Sequence, residues 1–534
     1  MMEQVLAPEN LKAAWRRVKA NAGAPGIDGM TVEAFPAFCR EQWPRIRSAL
    51  MAGTYRPAPV RRVFIPKSDG TQRPLGVPTV LDRVIQQALA QVLTPLFESG
   101  FSDHSYGFRE GRSAHQAVRH VETCWKEGRR HAVDCDLKSF FDTVNHDRLM
   151  GQLREKIRDR KVLDLIRRYL QAGVVLPDGS REATPQGVPQ GGPLSPLLAN
   201  ITLDPLDKEL ERRGHRFARY ADDFLVMVKS AKAAERAMDS LTRFVEVQLK
   251  LVVNRAKSKA APLKQCAFLG FQIGAIGRAV WTTKAHARFK QRVRNITSRN
   301  RGHNVQDVID ELRKFVTGWL HYFGISHTYT ALLELDEWVR RRVRLYYWKQ
   351  WKRPRTRRRH LLALGIPRDE VHMATRSRKG YWRMSGNSII QRALTNRWLH
   401  EQGVPDMRTL WITLHYGPKA RVCHTTRHAG PHRAVPISNG LSPRSEEQSI
   451  TCAWRGRPVR ATSGWSGHVG RCYCYSSAST LSGCAWPCVP LLGESPRRGD
   501  GGGASGAVSI VSSSRAAPVA APIRPVPATP YRCG

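Results

Sequence analysis

A chain of 534 residues is long enough for several domains and a large apolar core. Its 86 Lys and Arg against 44 Asp and Glu leave a formal net charge of +42, which points to a polyanionic partner, with nucleic acid ahead of a membrane surface. No apolar run approaches the ~20 residues of a spanning helix, and Met1-Met2-Glu3-Gln4 lacks the layout of a signal peptide, so the expectation is an intracellular, soluble protein without a membrane partner.

Leu11, Ala14, Val18 and Ala22 have helical spacing, and the turn formers from Asn21 to Gly29 end that helix. Phe64 to Pro74 reads as two strands joined by an Asp69-Gly70 turn, with Lys67 and Arg73 on either side of it. A helix is expected from Asp82, as its N-cap, to about Phe97, with Ile85, Ala88, Leu89, Val92 and Leu96 on one face. As a strand, His131 to Leu137 puts Val133, Cys135 and Leu137 on one face and both Asp134 and Asp136 on the other. Spacing alone does not choose between these two acids.

Gly187 to Pro196 holds too much Gly and Pro for helix or strand, and its Gln190 can both donate and accept hydrogen bonds. Tyr220-Ala221-Asp222-Asp223 lies between two β-prone apolar runs, which predicts a hairpin with acids at its tip. Adjacent carboxylates repel and need cations; two Mg²⁺ ions about 4 Å apart are the usual solution in enzymes that join nucleotides.

These segments, in this order, resemble the motifs of reverse transcriptases. The resemblance places a metal ligand at Asp136, with Asp222 and Asp223 completing the catalytic acids, Asp223 nearer to support than to direct catalysis. It implies that Lys67 and Arg73 clamp the phosphates of an incoming deoxynucleotide. Phe140 would crowd the sugar 2′-position, and Gln190 would lie against nucleotide and template. Ser105 to Ser113 resembles the template-binding segment before the first acid. Lys257-Ser258-Lys259 and Phe268-Leu269-Gly270-Phe271 resemble the motifs that close the palm.

From about 276 to 418 the pattern becomes helical, basic and aromatic. Arg340, Arg341, Arg344, Lys349, Lys352 and Arg353 lie among Trp338, Tyr346, Tyr347, Trp348 and Trp351, a mixture able to neutralise phosphates and stack on unpaired bases. Leu335, Val339, Val343, Tyr347 and Trp351 form an inward stripe, leaving the Arg fringe for RNA. With the Asn21 to Gly29 stretch and Gly318 to Phe323, this region resembles the flanks of bacterial group II intron proteins.

The implied fold is α+β: a right-hand polymerase with an antiparallel palm sheet, then a helical thumb. Its expected divisions are an N-terminal extension (1–55), fingers and palm (56–275), a thumb/maturase region (276–418) and a low-complexity tail (419–534). The resemblance implies a cytoplasmic bacterial RNA-directed DNA polymerase that binds its group II intron RNA, assists splicing and copies the intron into DNA. The partners it implies are an RNA template with a DNA primer, dNTPs and target DNA. Two other readings are a splicing cofactor with an idle polymerase and a domesticated host reverse transcriptase, for example in phage defence.

The tail holds seven of the 11 cysteines. Cys472-Tyr473-Cys474 and Cys484 to Cys488 do not form paired C-x-x-C spacings, so no endonuclease is expected there. Its Gly, Ser, Pro, Arg and Ala composition suits either a disordered nucleic-acid-binding tail or a reading frame extended past its end.

Overall fold

The structure, a computed structural model, describes residues 1–66, 70 and 72–417. Lys67 and the whole expected tail lie outside the described residues.

Among the described residues, ten strands form three sheets. β1 (Val60–Pro66), β2 (Gln72–Val77), β4 (Val174–Val175) and β5 (Arg181–Glu182) make a mixed sheet in the order β2-β1-β4-β5. β1 and β2 are antiparallel, with Ile65 opposite Arg73, whereas β1 and β4 run parallel. The second sheet, in the order β6-β7-β3-β8, is wholly antiparallel: β3 (His131–Cys135), β6 (Arg216–Tyr220), β7 (Asp223–Val228) and β8 (Lys259–Pro262). β9 (Phe271–Ile273) and β10 (Ala279–Trp281) pair by themselves.

The second sheet explains why its strands read as continuous apolar runs. Side chains alternate faces along a strand. Val133, Cys135, Phe217, Phe224, Val226 and Val228 enter one core, while Ala132, Ala218, Leu225 and Met227 enter another. Because both faces are covered, the usual polar alternation is lost. The acids lie where the strands run out: Asp223 opens β7, and Asp136 follows β3.

From Thr283 to Tyr416 the described chain is helical and builds its own core. The long helix Tyr329–Gln350 buries Leu335, Val339, Val343 and Tyr347, and its C-cap Trp351 continues this inward stripe. Among the described residues, no helix is long and apolar enough to cross a membrane.

The helix expected to begin at Asp82 begins at Val80, with Thr79 as its N-cap. The Thr79 hydroxyl oxygen accepts the Asp82 amide N–H at 3.1 Å, and its proton is donated to the Asp82 carboxylate at 2.7 Å. Asp82 is buried instead, where it also accepts from the Tyr55 hydroxyl at 2.8 Å, the Tyr169 hydroxyl at 3.2 Å and the Ala58 amide at 3.2 Å. A buried carboxylate needs such donors.

A second buried acid sets the acidic hairpin. Asp207, in helix Ser195–Arg212, pairs with Arg219 of β6, and both side chains are 0% exposed. Arg219 donates from Nε to Asp207 at 2.7 Å, and from Nη1 to Asn200 Oδ1 and to the Ala221 carbonyl, both at 3.0 Å. Removing one partner of a buried pair strands the other charge at a cost of about 3–5 kcal/mol. Urea unfolding of Arg219→Ala is expected to show a loss of about this size. Arg219→Met combined with Asp207→Leu is expected to lose much less, because no charge is left unpaired. Equal losses in both variants would refute this account of the pair.

Candidate active site

The Tyr220-Ala221-Asp222-Asp223 segment is a tight hairpin in which Tyr220 faces Asp223 and Ala221 and Asp222 form the loop. Ala221 has φ +58°, a left-handed conformation that an alanine adopts at a cost of about 1–2 kcal/mol. Two contacts support it. The Arg219 guanidinium holds the Ala221 carbonyl, and Gly107 lies so close that a Cβ there would come within 2.3 Å of the Ala221 nitrogen. Gly107 thus brings the Ser105 to Arg109 segment against the acidic turn. Its neighbour Phe108, at φ +60°, is left half exposed.

Asp134, Asp136, Asp222 and Asp223 are electrostatically coupled. Burial first, then repulsion from Asp134, Asp222 and Asp136, pushes the Asp223 carboxyl up to about 7, while the Leu269 amide draws it down. Burial also raises Asp222; the Arg73 guanidinium lowers it and Asp136 raises it again. Asp134 is raised by burial and by Asp136, and lowered by Lys259 opposite it on β8. The Asp136 carboxylate accepts from Asn254 Nδ2 at 2.7 Å.

This donor set consists of hard carboxylate oxygens in a partly dry site, the chemistry that suits Mg²⁺. Among the described residues, no three His, Cys, Asp or Glu side chains stand close enough to form a complete metal cage. An open set of acids leaves room for substrate phosphates, which commonly supply part of a Mg²⁺ shell.

Arg73 is exposed on β2 and donates from Nε to Gln190 Oε1 at 2.9 Å. The Gln190 carbonyl accepts the Gly76 amide at 2.7 Å, tying the Pro-Gln-Gly loop to the same strand. Gly191, at φ +123°, permits this approach; a Cβ there would meet the Gly76 oxygen at 2.6 Å. The structure therefore brings Arg73 and Gln190 together and couples Arg73 to Asp222.

Phe140 departs from expectation. It is 2% exposed, with its ring in the main core. Phe141 instead lines the open cleft shared with Pro74, Gly76 and the Gly187-Val188-Pro189 segment. Both rings of the short helix Phe140–Thr143 belong to the main core and pack edge-to-face at 5.1 Å, and Phe141, 7% exposed, is the one that also reaches the cleft beside the loop. The sequence signal was the doubled aromatic; which ring faced the cleft depended on the helix.

The expected RNA contacts also divide. Arg344 is buried, donating to the Leu394 carbonyl at 2.9 Å and to Asn396 Oδ1 at 2.8 Å, and burial lowers its pKa to about 10. It is turned into the protein and is not presented to a ligand. Arg340 is paired with Asp336 at 2.6 Å. Arg341 stacks on Trp382 at 4.0 Å from the ring centroid, and Lys349 lies 5.4 Å from the Tyr381 ring. Lys352 and Arg353 are exposed. Arg299 and Arg357 also flank Tyr381, at 5.3 and 5.7 Å, although their sequence distance from it gave no hint of this cluster.

The raised Asp223 pKa has a consequence for stability. An acid raised from 3.8 to about 7 contributes full stability below pH 4 and loses it as pH rises through 7. In metal-free buffer, Asp223→Asn is therefore expected to raise the melting temperature at pH 8, with the gain vanishing towards pH 4. Thermal melts across pH check this; a gain independent of pH would contradict it.

Residues 65–273 match the reverse transcriptase (RNA-dependent DNA polymerase) family, and residues 286–365 match the group II intron maturase-specific domain. Protein YkfC of Escherichia coli (strain K12) is 36% identical over 299 residues, which cover 48% of this chain and 78% of that protein. Group II intron-encoded protein LtrA of Lactococcus lactis subsp. cremoris is 31% identical over 357 residues, which cover 54% of this chain and 59% of LtrA. The α+β fold with its antiparallel sheet, followed by helices, is that of a reverse transcriptase domain joined to a maturase region. This chain belongs to the group II intron reverse transcriptase/maturase family.

Proposed function

We propose that this chain copies RNA into DNA by nucleotidyl transfer at Asp136, Asp222 and Asp223, and that it binds group II intron RNA to support splicing and intron mobility. The observation that carries this reading is the coupling of those acids to one another and of Asp222 to Arg73, beside Gln190. Asp136 and Asp222 would hold two Mg²⁺ ions, with Asp223 supporting them from its more buried position. When bound, such ions lower the pKa of the primer 3′-hydroxyl and stabilise the leaving pyrophosphate. Arg73, with Lys67 as the second cation of that sequence segment, would orient the triphosphate by charge. Gln190, held against β2, would keep nucleotide and template in register. Phe141 takes the part expected of Phe140 against the sugar 2′-position, since it is the ring beside the cleft.

The separate apolar core from Trp281 onward and two family matches support a division between fingers and palm (56–275) and thumb/maturase (276–418), while the N-terminal extension (1–55) shares its core with the fingers and palm. The RNA surface proposed on the last of these is built from Arg341, Lys349, Lys352, Arg353, Tyr381 and Trp382. The Arg and Lys would neutralise phosphates, and the rings would stack on unpaired bases. An RNA template with a DNA primer, deoxynucleotides and target DNA are the partners of the transfer site.

Primer extension on an RNA template with Mg²⁺ and deoxynucleotides tests the main reading. Asp222→Asn is expected to abolish synthesis while RNA affinity, measured by filter binding, stays within about twofold. Undiminished synthesis by that variant would sink the assignment. Phe141→Ala is expected to raise ribonucleotide use relative to deoxynucleotide by about 10–100-fold. Phe140→Ala is expected to leave this ratio alone and cost about 3–5 kcal/mol of stability. A changed ratio in Phe140→Ala alone would reverse the assignment of the two rings.

A further inference from the structure

Asp136 is gripped by one turn far away in sequence. After β7 the chain passes through a helix and returns, and Leu137 bridges Val253 in antiparallel fashion. Lys138 N–H donates to the Val252 carbonyl at 2.8 Å. From there the turn Asn254 to Ser258 closes on itself, with the Lys257 and Ser258 amides donating to the Asn254 carbonyl at 3.0 and 2.8 Å.

This turn engages three parts of Asp136. The Asn254 amide N–H donates to the Asp136 carbonyl at 2.8 Å. The Asp136 amide donates to Ser258 Oγ at 3.0 Å. The Asn254 side chain donates from Nδ2 to Asp136 Oδ2 at 2.7 Å. Two main-chain contacts place the residue, and the side-chain contact sets the plane of its carboxylate. Among the described residues, Asn254 is the one side-chain donor to that carboxylate, and its contact takes just one of the two oxygens, leaving Oδ1 for another ligand.

The chemistry of an amide suits this task. A lysine or arginine at the same place would neutralise the acid and compete with a cation. A neutral amide orients the carboxylate and leaves its charge in place. The other acids are restrained differently: Asp223 through the Leu269 main-chain amide, and Asp222 by its place in the hairpin loop. The orientation of Asp136 therefore depends on a side chain that can be replaced without altering the backbone.

We infer that Asn254 is a positioning residue that orients the Asp136 carboxylate for divalent-cation binding, with Ser258 fixing the backbone beneath it. This rests on the proposed role of Asp136 as a metal ligand. The same turn carries the exposed Lys257. A partner that orients a ligating side chain typically contributes 10–100-fold to metal affinity.

The test uses the full chain with an RNA template and DNA primer, and compares Asn254→Ala, Asn254→Leu, Asn254→Ser and Asp136→Asn. Mn²⁺ binding is followed by electron paramagnetic resonance, and the Mg²⁺ concentration for half-maximal synthesis is measured alongside it. For Asn254→Ala, Mn²⁺ affinity is expected to fall about tenfold and the Mg²⁺ requirement to rise in proportion, with RNA affinity and melting temperature unchanged. Asn254→Leu fills the side-chain volume without a donor and is expected to match Asn254→Ala, which separates loss of the hydrogen bond from loss of packing. Asn254→Ser, which keeps a donor on a shorter arm, is expected to lie between these and the parent.

Unchanged Mn²⁺ affinity in both Asn254→Ala and Asn254→Leu, with Asp136→Asn inactive and weakened for metal, would overturn the positioning role alone. Asp136→Asn with normal metal binding and synthesis would overturn the reading of Asp136 and this inference with it.

Discussion

The site depends on keeping several negative charges close together in a place that water only partly reaches. Burial raises the pKa values of Asp134, Asp222 and Asp223, and the charge of Asp136 raises each of them further, so the fold has to hold these acids against their own repulsion. It does so with restraints borrowed from distant segments. Arg219 anchors the hairpin through Asp207, Gly107 props it from outside, the Leu269 amide reaches Asp223, and Asn254 holds Asp136. The sheet supplies the platform because both of its faces are buried and its strands cannot slip without exposing one of two cores.

A second economy concerns positive charge. A net charge of +42 suggests a surface covered in free cations, but several of them are structural. Arg219, Arg344 and Arg342 bond to the protein, Arg342 through Thr297 Oγ1 at 2.8 Å. Planar guanidinium groups can satisfy several carbonyls at once, which makes them useful at helix junctions as well as on RNA. On the long helix, Arg341 and Lys349 lie beside Trp382 and Tyr381, combining charge with flat rings.

Where expectation and structure diverged, a tertiary contact outweighed a local rule. Asp82 has the chemistry of an N-cap, but Thr79 caps that helix because the Asp82 carboxylate is required inside by Tyr55 and Tyr169. Phe140 and Phe141 are chemically alike, and a four-residue helix decides which one meets the cleft. Arg344 lies in the same basic run as Arg341, but its helical phase turns it towards Leu394 and Asn396.

The sequence by itself determined the chemistry and the order of the site. Adjacent acids at a hairpin tip, an acid after an apolar strand and a Gly-Pro loop between them are local signals, readable because hairpins and strands have short periods. It also determined the inward stripe from Leu335 to Trp351, whose spacing is that of one helix face. Only the tertiary structure decided which neighbours hold these residues. The pairs Arg219–Asp207, Arg73–Gln190 and Asn254–Asp136 join positions 12, 117 and 118 residues apart. No local periodicity encodes such pairs, since they form only when the sheet and its surrounding helices bring separate segments within the few ångströms over which a hydrogen bond acts.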